Sequence, residues 1–277
     1  MTLSHWILLL ALGCAAFGFF QFPSPLMRKL GLLVMVATTS LAAALLSGQW
    51  WAGLLVAAVW LFWPLSELVL VIRRFRLPRH RHLEDAGPPP GTVFEQLRAF
   101  SMDLNDAGFQ QVDQCELIPG DHEQFYRLFR HGEGRLLASL SMIMQNGLGF
   151  EFITFYSRDL DGRTWITTNY PLPMPLKMPP EIALHLTRTT ETPEEVLAVH
   201  REFLELNGKQ DALAALGDEP RELRDLLEQV LEAQVRYNLD QGILRRETAE
   251  AQEDVCFTWR GTVHAAGLYL RELFRLG

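Results

Sequence analysis

The side chains most able to do chemistry are a run of arginines, one buried-looking carboxylate and a scatter of histidines, cysteines and hydroxyls. Arg73, Arg74, Arg76, Arg79 and Arg81 share the string RRFRLPRHRHL with His80, His82, Phe75 and Leu77. Cations at that density contact a membrane surface, each contributing about 1 kcal/mol beside an anionic leaflet. The same residues also read as a plain stop-transfer signal. Glu67 lies five residues before the preceding apolar run ends at Ile72. An ionisable group inside a span is costly and marks function by default. Five residues are about 7 Å of helix, so its carboxylate reaches the headgroup zone. An orienting pair with Arg28 or Lys29 is the favoured role.

The other candidates lack the spacing that chemistry needs. His122 and His131, with Asp121 and Glu123, would have to converge as three or four ligands to hold a metal. The sequence has no H-x-x-x-H, HExxH or paired CxxC motif. Cys14, Cys115 and Cys256 are far apart; Cys115 and Cys256 could pair, but buried free thiols are the expected state. No G-x-S-x-G, S-x-x-K, G-x-G-x-x-G or Walker pattern occurs. No catalytic residue, cofactor or metal site is therefore expected. The polar string Thr164–Asn169 reads as strand alternation with threonines on a wet face. His200 and His264 read as core or boundary histidines.

The elements that carry these residues divide at the arginine run. Leu3–Phe20, Leu30–Leu46 and Trp50–Ile72 are apolar runs, and the last makes about 34 Å of helix, enough for a bilayer about 30 Å thick. They predict three transmembrane helices, about 3–20, 30–46 and 50–72, with the basic run closing a membrane domain at residue 83. The first run competes with a signal peptide, but its leading MTLSH has no Lys or Arg. Gly31, Thr38, Thr39, Ser40 and Ala42–Ala44 suit close helix packing. With three spans, Arg28 and Lys29 fall on the same side as the arginine run. Lys and Arg favour the cytoplasm, so the N-terminus is expected outside and the C-terminal domain inside, at an inner (plasma) membrane.

Residues 84–91, with Pro88–Pro90 between glycines, read as a linker before a soluble domain at 92–277. Thr92 would cap a helix bearing Val93, Phe94, Leu97, Phe100 and Leu104. Strand-like runs follow at Phe109–Leu117, Gln124–His131, Arg135–Met144, Phe150–Arg158 and Arg163–Asn169. Turn residues separate them: Pro119-Gly120, Gly132-Glu133-Gly134, Asn146-Gly147 and Asp161-Gly162. Short hairpins demand antiparallel pairing. This predicts an α+β domain built on a meander sheet of about 92–189. The prolines between Pro171 and Pro180 read as a rigid crossing between layers, and Ala183–Thr189 as a further short strand.

A mainly helical part then spans about 190–277. Thr192-Pro193-Glu194-Glu195 forms a capping box, and a long helix from about Asp218 stops before Gly242. Gly242-Ile243-Leu244 and Val255–Gly261 resemble the wing of winged-helix regulators. The resemblance implies a β-hairpin with a Thr-x-x-Gly turn. The helix before it, ELRDLLEQVLEAQVRYNLDQ, is acidic, which disfavours DNA reading.

Charge separates the two parts. Of 25 basic and 33 acidic residues, seven and one precede Glu84, leaving 18 and 32 and a net charge of −14. Such a domain is not a nucleic-acid binder. The expected partners are the bilayer, its anionic headgroups, and either a protein partner or a second copy of the chain. The favoured function is a non-enzymatic binding, scaffolding or sensing module. The alternatives are an enzyme acting on a lipid or other membrane-proximal substrate, and an accessory subunit of a transporter.

Overall fold

A computed structural model describes residues 3–87, 96–118, 123–145, 148–188, 190–247 and 254–275. It forms two compact units, one of Met1–Phe75 with Thr262–Gly277 and one of Arg76–Gly261. In the first, α1 (Leu3–Phe20), α2 (Pro25–Ser47) and α3 (Trp50–Arg74) are each long and apolar enough to cross a membrane. The second helix begins at Pro25 rather than Leu30, because proline is pre-set for a first helical turn. Arg28 and Lys29 therefore sit on the helix and not in a loop. α3 runs on through Pro64 to Arg74.

Glycines set how closely these helices approach. A Cβ on Gly53 would stand 2.7 Å from the Ser40 carbonyl oxygen, and one on Gly31 would stand 3.1 Å from that of Ala16. Such contacts are the small-residue packing of membrane helices. Thr38 and Thr39 donate their hydroxyls to Val34 O and Met35 O within their own helix, at 2.7 and 3.0 Å. Gly48, at φ 70°, closes α2 before the short turn into α3.

The second unit holds a seven-stranded sheet in strict chain order: β2 (His82–Asp85), β3 (Phe109–Ile118), β4 (Glu123–His131), β5 (Leu137–Gln145), β6 (Leu148–Arg158), β7 (Thr164–Thr168) and β8 (Ile182–Leu186). β2 to β7 pair antiparallel, as the hairpin turns require, and β8 joins parallel to β7. A parallel strand needs a crossover, and the proline-rich stretch after β7 supplies it. Thr92, Val93, Phe94, Pro119-Gly120 and Asn146-Gly147 lie outside the described residues. A smaller antiparallel sheet contains β1 (Arg76–Pro78), β9 (Leu244–Arg246) and β10 (Asp254–Phe257), in the order β1-β10-β9.

The stretch expected to be a basic run and the start of a linker thus supplies two strands. Arg76, Leu77 and Pro78 pair with Cys256, Val255 and Asp254, while His82 to Asp85 pair with Ile118 to Cys115. Arginine and histidine at alternate positions hide the strand signal that Leu77 and Leu83 carry, since only one residue in each strand is an aliphatic core former. Glu84 and Asp85 are strand residues, not linker.

Helices cover both faces of the large sheet. α4 (Leu97–Asp106) and α5 (Pro193–Leu206) bury Leu97, Phe100, Leu104, Val196 and Leu197 with Phe129, Leu140 and Phe155. The capping box forms as expected, with Glu195 N on Thr192 Oγ1 and Thr192 N on Glu195 Oε2, both at 3.3 Å. α6 (Pro220–Asp240) buries Leu223, Leu226, Leu227 and Val230 against Leu83, Leu128, Leu137, Tyr156 and Ile166 on the opposite face. The last helix, α7, is Trp259–Arg275. Ahead of it the hairpin of β9 and β10 ends in the expected turn. Thr258 Oγ1 donates to Gly242 O at 2.7 Å and accepts from Gly261 N at 3.0 Å.

Candidate functional site

The two sheet faces treat polar side chains differently, and alternation along the strands decides which residue meets which face. On the α4–α5 face, His200 is fully buried on α5. Its Nε2 lies 3.1 Å from Ser157 Oγ and its Nδ1 2.9 Å from Thr167 Oγ1. Burial holds the imidazole down to about 3, with Arg201 and His185 adding to the effect. A serine beside a histidine suggests a nucleophile. Here the third partner is a threonine and all three residues are sealed from solvent, so the trio ties α5 to β6 and β7. Thr167 and Thr168 are fully buried, as is every residue of β7. The expected wet face does not exist, because β7 is an interior strand covered on both sides.

A second satisfied cluster closes the turn after β6. Asp159 Oδ1 accepts from Asp161 N at 3.0 Å and Arg163 N at 2.9 Å, and its Oδ2 accepts from Trp165 Nε1 at 3.2 Å. Lys209 Nζ lies 3.0 Å from Asp159 Oδ2. Despite its burial, these donors hold the carboxyl below the usual range.

On the α6 face a different patch forms beyond the end of the apolar rows. Register places Tyr126, Ser141 and Phe152 side by side, and next to them Leu128, Ser139, Thr154 and Thr168. The two serine hydroxyls are 3.1 Å apart. Thr154 Oγ1 donates to Thr168 Oγ1 at 2.8 Å, and Thr168 in turn accepts from Tyr170 N. Tyr170 sets its ring edge on Phe152 with centroids 4.9 Å apart. From here the crossing runs to α6, where Asn238 bonds both the N–H and the carbonyl of Lys177, at 3.0 and 2.8 Å.

Arg81 enters this patch from the strand edge. It directly precedes β2 and lies two residues before Leu83, which packs under α6. Its charge lies near Tyr126: burial pushes that phenol well up, and Arg81 pulls it back. Burial also lowers the guanidinium from its ordinary value. Its Nε is sealed from solvent with no hydrogen-bond partner, and among the described residues no side chain or carbonyl accepts from Arg81.

The other partly buried arginines of this unit are all engaged. Arg76 donates to Glu247 at 2.9 Å, Arg127 to Gln114 and Ser101, Arg158 to Gln229 and Arg130 to Asp218, and Arg79 is also bonded. Arg224 bridges Asp113 and Asp85, drawing α6 onto β3 and β2 and holding the Asp113 carboxyl low against the cost of its burial. Guanidinium is a rigid fork of donors that stays charged. Left without a carboxylate, Arg81 can offer that fork to an oxyanion.

The remaining expected sites are placed as follows. Arg73 and Arg74 close α3, where Arg74 is exposed. Glu67 is exposed on α3. His131 packs edge-on against Phe109, and its Nδ1 accepts from Glu133 N at 3.3 Å; Asp121 and His122 lie outside the described residues. Cys115 and Cys256 are buried and free. Burial first, then the charge of Asp113, pushes the Cys115 thiol up to about 12, which leaves it unreactive.

Sequence reasoning found Arg81 as one cation among five but missed Tyr126, Ser141 and the threonine pair. The available signal was the unusual run of hydroxyls at every second position, Ser139 and Ser141 within an otherwise apolar strand. Comparison with protein-family models, curated proteins and solved structures finds no match to this chain.

Proposed function

We propose that this chain is a three-span protein of the inner membrane whose acidic domain faces the cytoplasm and works as a non-enzymatic binding or sensing module. The observation that carries this reading is Arg81 beside the hydroxyl patch: its Nε is sealed without a partner and among the described residues nothing accepts from it, whereas Arg130 and Arg158, whose Nε atoms also lack partners, donate through other nitrogens. Chain continuity supports the sensing role. α3 ends at Arg74 and β1 begins at Arg76, so a single residue separates span from sheet. A ligand that shifts β1 therefore acts on residues that adjoin the end of α3 in the chain. Arg73 and Arg74, with Arg28 and Lys29, orient the spans by the preference of basic residues for the cytoplasm.

The test has two arms. A reporter active only in the cytoplasm, fused after Gly277, is expected to be active; activity of a periplasm-only reporter there defeats the topology. Purification from crosslinked membranes is expected to retain a partner or ligand with the wild-type chain. Its loss when three or four Gly-Ser residues are inserted between Phe75 and Arg76 would support coupling, and unchanged retention would remove it.

A further inference from the structure

We infer that Arg81 and the Tyr126–Ser141 patch form a binding site for a phosphoryl group, either on a lipid headgroup or on a small phosphate monoester. This inference names the ligand of the module proposed above and rests on that reading. Three observations converge. First, the unit from Arg76 to Gly261 is rich in carboxylates, yet among the described residues none is placed on this partly buried arginine, while Glu247, Asp218, Asp113 and Asp85 are placed on others. Sealing part of a cation from water without a partner is costly, so a missing counter-charge marks a place for an external one.

Second, the groups around Arg81 match a phosphoryl group. Tyr126 carries a phenol that burial keeps protonated, and it shares its row with Ser141. Protonated phenols and hydroxyls donate hydrogen bonds, as the guanidinium does. A phosphoryl group presents three or more acceptor oxygens and uses all such donors, whereas a carboxylate presents two. Phe152 and the Tyr170 ring add an apolar wall for the carbon part of the ligand.

Third, Arg81 follows the end of α3 closely in the chain. Seven residues link Arg74 to Arg81, at most about 25 Å when fully extended. That closeness in the chain is why a lipid headgroup stands beside a free monoester as the ligand.

The experiment uses the full-length protein. In detergent it is titrated with inorganic phosphate and with glycerol 3-phosphate by equilibrium dialysis. In nanodiscs of phosphatidylcholine, with and without phosphatidic acid, bound lipid is read by native mass spectrometry. The wild type is expected to bind in at least one arm. Arg81→Gln should lower affinity about tenfold or more, Arg81→Lys by less, and Arg245→Gln, an exposed arginine of β9, not at all. Binding confined to the nanodisc arm assigns a lipid headgroup, and binding in solution assigns a free monoester.

Without any probe, Arg81→Gln should melt no lower than the wild type, since it removes an uncompensated charge; this separates lost binding from lost folding. Absence of binding in both arms overturns the site. So does equal binding by Arg81→Gln, and so does a lower melting temperature of that variant without probe, which would mean that Arg81 already has a partner. Retention of a crosslinked protein partner by Arg81→Gln, with phosphate binding absent from the wild type, sinks the phosphoryl site while sparing the module. Hydrolysis of the bound probe has the opposite effect: it keeps the site and ends the non-enzymatic reading.

Discussion

The two faces of the seven-stranded sheet bury polar side chains to opposite ends. On the α4–α5 face, His200 has a hydroxyl partner on each ring nitrogen, and Asp159 nearby takes four donors. On the α6 face, Arg81 has a sealed Nε and, among the described residues, no acceptor. Both faces are built from the same strands by period-two alternation, so the difference is not one of fold. It separates polar groups that specify the packing from one that the packing leaves available.

If that contrast is right, the juxtamembrane strands matter most. A fragment of residues 92–277 lacks β1 and β2 and with them Leu83, Arg81, and the Asp85 arm of the Arg224 bridge. Both sheets would gain a bare edge. Compared with a fragment of residues 76–277, it should lose several kcal/mol by the usual scale of core deletions and aggregate on concentration. Equal urea midpoints for the two fragments would show that the domain starts at residue 92 after all.

A smaller loss is expected on the satisfied face. Asp159→Ala strands Trp165 Nε1 and the turn amides, and should cost about 3 kcal/mol in a urea titration. The same change made at Asp161, whose carboxylate is exposed and meets only Lys209, should cost less than about 1 kcal/mol. Parity between the two would mean that the Asp159 cluster is not structural.

The smallest effect is a pH dependence. His200 is neutral in the folded state, its value lowered to about 3, while the unfolded chain takes up a proton near pH 6.5. Its contribution is therefore fully present above about pH 6.5 and is lost progressively as pH falls toward 3. His200→Asn should flatten the stability profile between pH 6.5 and 5, a window in which few carboxylates titrate. An unchanged slope there would show that His200 is not the buried neutral group its partners indicate.

Much of this architecture could be read directly from residue order. That Trp50 to Ile72 is a helix long and apolar enough to cross a membrane follows from its length and composition alone. The meander followed from glycine and aspartate turns between alternating runs, with strand ends matched to within a few residues. Thr192-Pro193-Glu194-Glu195 marked a helix start through hydrogen bonds that local sequence supplies on its own. These features are short-range: each depends on residues a few positions apart.

Tertiary structure decided the rest. That Arg76–Pro78 and His82–Asp85 are strands depends on β10 and β3 being there to pair with them, at distances in sequence that no local pattern reports. That Thr164 to Thr168 are buried depends on β8 arriving parallel and on α5 and α6 covering both faces. The isolation of Arg81 is likewise a long-range fact. In sequence it is one of five similar cations, and only the folded arrangement shows that the domain's carboxylates have gone to its neighbours, because a side chain's partners are set by which strands and helices meet and not by its own charge.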